Sequence, residues 1–142
     1  MQQKLLIASD HGGVKLKKEL IKRLKSDCEV KDLGTNDKSA VDYPDYAKKV
    51  AKQVASEPGS KGILICRSGV GMSMAANKVD NVRAALAYNP LIATLSRQHN
   101  NANVICFGAD FISIEDAYKA TDNFIKTDFE GGRHQRRVDK IG

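Results

Sequence analysis

Cysteine is scarce in this sequence, and long apolar runs are missing from it. The three cysteines are Cys28, Cys66 and Cys106. Because their number is odd and no CxxC pair occurs, the sequence argues against a disulfide framework and against a structural metal site. No run approaches the ~20 apolar residues of a membrane span, and the apolar stretch near the start is too short for a secretory signal. We therefore expect free thiols, no membrane attachment and a cytoplasmic location.

Aromatic residues are also few, at 6% of the chain, and no recognised nucleic-acid-binding motif occurs. The formal net charge of +6 would allow nucleic-acid binding. However, the basic residues of the first predicted helix interleave with apolar ones at helical spacing. We expect these basic residues to form a solvated helix face and no nucleic-acid surface; they are Lys15, Lys17, Lys18, Lys22, Arg23 and Lys25.

Apolar runs alternate with helical patterns five times along the 142 residues, with no linker or repeat between them. This alternation is typical of a parallel sheet covered by helices. We predict one domain, residues 1–142, with an α/β fold: a Rossmann-like three-layer sandwich with a five-stranded parallel sheet. The predicted strands are 5–8, 30–33, 63–66, 82–87 and 104–107; the predicted helices begin after residue 13, cover 46–54, 72–78, 90–98 and 114–124, and begin again after residue 132.

The segment 62–78, GILICRSGVGMSMAANK, runs from an apolar strand through a cysteine and a glycine-rich turn into a helix. Gly69 and Gly71 allow backbone N–H groups to approach a ligand closely. The unpaired N–H groups at a helix N-terminus attract negative charge and favour the thiolate form of a nearby cysteine, here Cys66. The segment therefore predicts a base or nucleophile beside an oxyanion site, although a buried structural cysteine gives the same pattern.

Other polar residues follow or flank the predicted strands. In open parallel sheets, ligands bind beyond the carboxyl ends of the strands. We expect the polar residues to gather at that one edge; they are Asp10, His11, Tyr43 in the loop after the second strand, Cys66, Ser68, His99 and Asn100. Three of them also have ordinary structural roles, since Asp10 could cap the first helix, His99 could end its helix as a cation, and Asn100 could be a C-cap.

The carboxyl-terminal segment GGRHQRRV carries arginines at helical spacing. Arg133 and Arg137 lie four residues apart, on one face of a predicted helix, near its N-terminus. Planar guanidinium groups suit phosphate, so the segment favours a phosphate-binding role. A solvated basic helix remains the alternative.

Seven segments together resemble one known family, the type B ribose-5-phosphate isomerases. They are ASDHGG (8–13), DLGT (32–35), DYPDYA (42–47), GILICRSGVGMSMAANK (62–78), VRAAL (82–86), SRQHNNANVICFGA (96–109) and FEGGRHQRRV (129–138). The resemblance spans nearly the whole chain in order. It implies interconversion of ribose 5-phosphate and ribulose 5-phosphate through a cis-enediolate, within the non-oxidative pentose phosphate pathway, without metal or organic cofactor.

The resemblance also implies a role for each site residue. Cys66 would move a proton between C1 and C2, and His99 would open the sugar ring with help from Asp10. The remaining substrate-binding residues would be Ser68, Gly69, Val70 and Gly71 at the enediolate oxygen, Asn100 at the sugar, Tyr43 as a pocket wall, and His11, Arg133 and Arg137 at the phosphate. In the family this site lies between two subunits, with His99 and the arginines facing Cys66 across the interface. A homodimer or a tetramer is therefore expected.

Two positions depart from the family pattern. Arg67 stands where glycine usually follows the cysteine, and Asp110 stands where a phosphate-contacting arginine is common. We hypothesise a coupled exchange in which Arg67 pairs with Asp110 or reaches the ligand. The alternatives to a ribose-5-phosphate isomerase are an isomerase of allose 6-phosphate or galactose 6-phosphate, a non-catalytic sugar-phosphate-binding protein, and a thiol-redox protein, which would need a second cysteine near Cys66.

Overall fold

The computed structural model describes residues 2–142 and contains five strands. They are β1 (Gln3–Ser9), β2 (Cys28–Asp32), β3 (Lys61–Cys66), β4 (Ala84–Leu86) and β5 (Val104–Gly108). All neighbouring strands pair in parallel in the order β2-β1-β3-β5-β4. The predicted five-stranded parallel sheet is confirmed.

Six helices connect and follow the strands. They are α1 (Val14–Leu24), α2 (Tyr43–Ser56), α3 (Val70–Ala76), α4 (Pro90–Asn100), α5 (Ile114–Lys126) and α6 (Arg133–Asp139). A 3-10 turn, His11–Gly13, precedes α1. Tyr43 lies in the first turn of α2 and not in the predicted loop, because the Pro44 that follows it fits the first helical turn. The C-cap of α4 is Asn101, with φ of +49°, and not Asn100 as expected.

The apolar core consists of two layers, one on each face of the sheet. Alternate residues of β1 and β3 enter opposite layers, as the two-residue period of a strand requires. Helices α1, α4 and α5 cover one face, and α2 and α3 cover the other. Both faces are therefore buried, which explains why β1 and β3 are almost continuously apolar and confirms the three-layer arrangement.

Lys17 corrects the prediction of a solvated basic face on α1. Its side chain is fully buried, and its ammonium group donates to Asp32 Oδ1 at 2.5 Å and to Asn36 Oδ1 at 2.7 Å. The other five basic residues of that face are exposed as expected. A buried charge is tolerated only when it is paired and hydrogen-bonded, and both partners lie far from Lys17 in sequence, so helical periodicity alone could not place it.

The order of the strands fixes where a ligand can enter. From β1 the chain passes to β2 on one side and later to β3, the central strand, on the other. Such a change of direction opens a crevice between the carboxyl ends of the two strands, here β1 and β3. Cys66 is the last residue of β3, so it lies at this crevice. None of the helices within residues 2–142 combines the length and the hydrophobicity needed to cross a bilayer.

Candidate functional site

Cys66 lies at the floor of the crevice, at the start of the glycine-rich turn. The residue is only 6% exposed, and its Sγ accepts a hydrogen bond of 3.1 Å from the Gly69 backbone N–H. The turn leads directly into the N-terminus of α3. The thiol therefore faces a backbone donor of the glycine-rich turn, as the sequence predicted. The other two cysteines are buried and free, and burial raises the pKa of both thiols.

The turn after Cys66 can only be built with glycine at two positions. Gly69 has φ of +79°, and a Cβ there would lie 2.6 Å from Leu86 Cδ1. A Cβ on Gly108 in β5 would lie 2.5 Å from the Ser68 carbonyl oxygen. Because both positions lack a Cβ, the turn can pack directly against β5.

Three backbone N–H groups of the turn 67–71 have no hydrogen-bond partner among residues 2–142. They belong to Arg67, Ser68 and Gly71, whereas the Val70 N–H donates to Ser68 Oγ at 3.2 Å. The Tyr43 ring covers Gly71 so closely that a Cβ there would lie 2.5 Å from the ring. Unpaired backbone N–H groups beside a thiol can form an oxyanion site, because they are free to donate to a negatively charged oxygen of a ligand.

Asp10 and His11 occupy the turn that follows β1. Asp10 is buried, and its Oδ1 accepts from the Gly12 N–H at 2.9 Å; it therefore caps the 3-10 turn before α1, whereas α1 itself begins after Gly13. His11 Nδ1 accepts from the Val41 N–H at 3.2 Å. An imidazole that accepts at Nδ1 carries its proton on Nε2 when neutral, which leaves a donor on the other side of the ring.

Arg67 and Asp110 lie beside each other above the crevice. Arg67 Nη1 is 3.8 Å from Asp110 Oδ2, and the two side chains are 66% and 50% exposed. The Arg67 side chain also passes over Gly12, where a Cβ would lie 2.7 Å from Arg67 Cγ. The two residues that depart from the family pattern therefore contact each other. An exposed pair of this kind contributes at most about 1 kcal/mol to stability.

The carboxyl-edge cluster contains Asp10, His11, Tyr43, Cys66, the turn 67–71 and Asp110. His99 and Asn100 are not part of it, which corrects the expectation of a single edge. They end α4, which runs back toward the amino ends of the strands, and four residues later β5 begins. Sequence order suggested proximity to a strand, but it did not distinguish the end of a strand from its beginning.

His99 and Asn100 instead lie near α6, which carries Arg133 and Arg137. We call these four residues the α4–α6 cluster. Helix α6 packs on α4, the Glu130 N–H donates to the Gln98 carbonyl at 3.1 Å, and both arginines are exposed. Cys66 pairs with Gly108 at the far end of β5, so the two clusters are separated by the length of that strand, about 13 Å at 3.3 Å per residue. Within one chain they do not meet.

The His99 ring stacks on His134, with centroids 4.6 Å apart and planes at 14°. His134 is buried, and its Nε2 has no hydrogen-bond partner. Burial lowers the pKa of His134, and the neighbouring Arg133 and His99 lower that pKa further. The sequence prediction did not include His134.

His99, Glu130 and His134 are the residues that come nearest to a metal centre among those described. They bring one ligand atom each within 4.8 Å of one another. Because the His99 and His134 rings are stacked, the lone pairs of their nitrogens lie in nearly parallel planes. In a zinc site, one nitrogen of each ring must point at the same ion, about 2.0–2.1 Å away. The stacked arrangement therefore does not form a metal centre.

Tyr88 is a further site residue that the sequence pattern did not indicate. Its hydroxyl donates to the Ser68 carbonyl at 2.9 Å, and its ring stacks on Phe111 at 5.8 Å. These contacts hold the glycine-rich turn from the side of β4 and β5. The only signal in the sequence was an exposed aromatic residue directly after a strand, and that signal is too common to be informative.

With this geometry established, the chain can be compared with known proteins. A family model described as ribose/galactose isomerase matches residues 5–141. The chain belongs to the ribose/galactose isomerase family. Within this family, a probable ribose-5-phosphate isomerase B from Mycoplasma genitalium is 49% identical over 144 residues, covering 99% of this chain and 95% of the relative.

Solved structures of family members share the fold. The ribose 5-phosphate isomerase from Thermotoga maritima has a TM-score of 0.96 at 45% identity, covering 99% of this chain and 98% of that chain. The Mycoplasma genitalium ribose-5-phosphate isomerase B, crystallised with bound ribulose-5-phosphate, has a TM-score of 0.94 at 49% identity, covering 99% and 95%. The resemblance expected from the seven segments is confirmed.

Proposed function

We propose that this protein is an aldose–ketose isomerase that interconverts ribose 5-phosphate and ribulose 5-phosphate. The observation that carries the proposal is the Cys66 thiol, which lies at a sheet-edge crevice beside unpaired backbone donors. The relative from Mycoplasma genitalium, whose structure holds ribulose-5-phosphate, is similar over 99% of this chain. The names of the relatives favour the pentose substrate over a six-carbon sugar phosphate.

The reaction needs a base that removes a proton from C2 of the open-chain aldose and returns it to C1. We assign this role to the Cys66 thiolate. Loss of the C2 proton leaves a cis-enediolate, whose oxygen would accept hydrogen bonds from the Ser68 and Gly71 N–H groups. Donors preorganised for a developing oxyanion contribute about 3–4 kcal/mol each in comparable sites. A proton then passes from O2 to O1, the Cys66 thiol returns its proton to C1, and the C2–O2 bond becomes the carbonyl of the ketose, so no redox cofactor is required.

The second half of the site is assigned to a partner subunit, in a homodimer. The separation of the two clusters by the length of β5 supports this assignment, because one chain cannot place His99 beside its own Cys66. Exposed apolar residues on the segments that follow the carboxyl ends of the strands support it too; they are Tyr43, Val70, Met74, Tyr88, Leu91, Ile92 and Phe111. Large exposed apolar residues that share one edge of a fold are typical of an interaction site. His99 and Asn100 of the partner subunit would open the sugar ring and hold the sugar.

Phosphate recognition would combine groups from both chains. We assign it to His11 on the chain of Cys66 and to Arg133 and Arg137 of the partner subunit. Arg67 adds a cation on the crevice side, and its contact with Asp110 would keep that carboxylate from repelling the phosphate. Like charges at contact distance repel by about 1 kcal/mol in water and more at lower dielectric. If Arg67→Gly leaves kcat and KM unchanged, Arg67 has no such role.

The decisive experiment is turnover of ribose 5-phosphate, allose 6-phosphate and galactose 6-phosphate by the purified protein. We expect ribose 5-phosphate to give the highest kcat/KM. Cys66→Ala should lower kcat by about 10²–10⁴-fold, the usual contribution of an acid–base group, while Cys28→Ala should leave kcat within the error of the assay. A loss below about tenfold in Cys66→Ala would remove Cys66 from the role of base.

The same assay separates the proposal from its alternatives. Preference for a six-carbon sugar phosphate would retain the isomerase and change the substrate, whereas tight binding of all three sugars without turnover would indicate a binding protein. A cytoplasmic location is part of the proposal and agrees with three free cysteines.

A further inference from the structure

Three cationic side chains converge on one cavity at the amino ends of the strands. Lys61 begins β3, Arg83 precedes β4, and Arg97 lies in the last turns of α4. The cavity has a volume of about 280 Å³, and its other polar lining residues include Asn81, Asn101 and Asn103. Lys61 and Cys66 stand at opposite ends of β3, so this cavity is separate from the carboxyl-edge cluster.

No carboxylate pairs with these cations. Among residues 2–142, no carboxylate oxygen lies within 4.0 Å of Lys61, Arg83 or Arg97. Burial lowers the pKa of all three groups, Arg97 lowers that of Lys61, and Arg83 lowers that of Arg97. Asp128 acts in the opposite direction on Lys61 and Arg97, from beyond ion-pair distance. Charges withdrawn from water are normally paired. Arg97 is buried and Lys61 and Arg83 are half-buried, yet no described carboxylate forms an ion pair with any of the three.

The guanidinium groups are held in place and still have free donors. Arg97 is 9% exposed; its Nε and Nη1 donate to two carbonyl groups and to the Asn101 side chain. Arg83 donates through Nε to the Asn101 carbonyl at 2.8 Å. Neither Nη atom of Arg83, nor Nη2 of Arg97, donates to any described residue. Lys61 donates to Gln3 Oε1 at 3.1 Å and has two further N–H bonds.

We propose that this cavity is a second anion site, which binds a tetrahedral oxyanion as inorganic phosphate or as the phosphoryl group of a small metabolite. Fixed guanidinium forks match the oxygens of phosphate, and an ammonium group adds a point charge. A water occupies about 30 Å³ of liquid volume, so the cavity has room for an oxyanion and a few attached atoms. The side-chain N–H groups of Asn81 and Asn101, which donate to no described residue, are further donors at its wall.

The test uses thermal unfolding of three proteins: wild type, Lys61→Gln, and Lys52→Gln as an exposed control. Each is measured in chloride, inorganic phosphate and glycerol 3-phosphate at equal ionic strength. In chloride we expect Lys61→Gln to be at least as stable as wild type, because one repelling charge is gone. In phosphate we expect the increase in Tm to be at least about twofold smaller than in wild type, since a ligand stabilises the state that binds it. Lys52→Gln should match wild type throughout.

The comparison separates this site from the proposed phosphate contacts of the catalytic site, because those contacts are intact in all three proteins. If Lys61→Gln lowers Tm equally in every buffer and keeps the full gain from phosphate, Lys61 has only a structural role and the proposal is wrong. If glycerol 3-phosphate raises Tm in a Lys61-dependent way, the ligand is the phosphoryl group of a metabolite. If only inorganic phosphate raises Tm in this way, the ligand is free phosphate.

Crystals soaked in tungstate, a tetrahedral dianion with strong anomalous scattering, provide an independent readout. The expected result is an anomalous peak between Arg83 and Arg97 that is lost in Lys61→Gln crystals. A cavity without a peak, in crystals whose other anion sites are occupied, would overturn the proposal. So would a peak unaccompanied by Lys61-dependent stabilisation in solution, since that result describes an adventitious ion only.

Discussion

Two inactive variants of this protein should restore each other when they are combined. Cys66 ends β3 at the carboxyl edge of the sheet, and His99 ends α4 at the opposite edge. Under the proposed function, a complete site takes Cys66 from one chain and His99 from the other chain of a homodimer. Cys66→Ala and His99→Ala should each lose about 10²–10⁴-fold in kcat, but a mixed dimer would hold one site with both native residues and one site with neither.

The size of the recovery follows from symmetry. Random assortment of equal amounts makes half of the dimers mixed, and half of the sites in each mixed dimer are native, so activity should return to about one quarter of the wild-type value. The two variants carry different affinity tags, are refolded together, and the doubly tagged fraction is assayed with ribose 5-phosphate. That fraction alone should have about half of the wild-type activity per chain.

The matched control combines Cys66→Ala with Cys66→Ser, which are defective in the same half of the site. This pair should form mixed dimers of the same stability without any recovery. If Cys66→Ala and His99→Ala form mixed dimers that remain as inactive as either parent, the shared site is refuted and the role of His99 with it.

Three further predictions concern the scaffold around the site. Lys17→Met leaves the Asp32 carboxylate without its buried partner; because Asp32 is partly exposed, we expect a loss of about 2–4 kcal/mol in the free energy of unfolding, measured in urea. Gly69→Ala places a Cβ at φ of +79°, and we expect a loss of at least about 1–3 kcal/mol together with reduced kcat. The hydrogen bond from Lys4 lowers the pKa of Glu57. The Glu57 carboxylate therefore stabilises the fold above its ordinary pKa of 4.5, and this contribution is lost as the pH falls through the lowered pKa. Glu57→Gln should lower Tm at pH 7 and leave Tm unchanged at pH 2.

The controls use neighbouring residues that lack the relevant contacts. Lys18→Met removes an exposed charge from the same helix and should cost less than about 0.5 kcal/mol. Gly59→Ala also has positive φ, but nothing lies within 4 Å of its Cβ position, so it separates backbone strain from the clash at Gly69. Equal losses for Lys17→Met and Lys18→Met, or for the two glycine variants, would contradict the packing argument. A Glu57→Gln effect that persists at pH 2 would contradict the ion-pair argument.

The fold could be predicted almost completely because its signals are local. Five apolar runs of strand length alternate with helical patterns, and each became a strand in the parallel sheet. The errors concern element ends and one short strand: β4 is limited to Ala84–Leu86, shorter than the predicted 82–87. The apolar pattern of a sequence indicates which residues are buried. The ends of a strand depend instead on how far the neighbouring strand continues to supply hydrogen bonds.

The chemistry near Cys66 was also contained in the sequence. Strand, thiol, glycine turn and helix follow one another within 62–78, so connectivity alone places backbone donors beside the sulfur, and the Gly69 N–H does donate to it. The contact between Arg67 and Asp110 was predicted only because the resemblance drew attention to both positions.

Three features required the tertiary structure because they join residues distant in the chain. Lys17 is buried by a pairing with Asp32 and Asn36, which helical periodicity cannot indicate. The cation group around Arg97 is formed by the ends of separate elements. The position of His99 depends on the direction of α4, which runs antiparallel to the strands and carries its last residues away from Cys66. The sequence thus determined the elements and the backbone surroundings of the Cys66 thiol, since both depend on neighbours along the chain. Only the fold decided which groups share an edge of the sheet, because the distance between two side chains is set by strand order and helix direction.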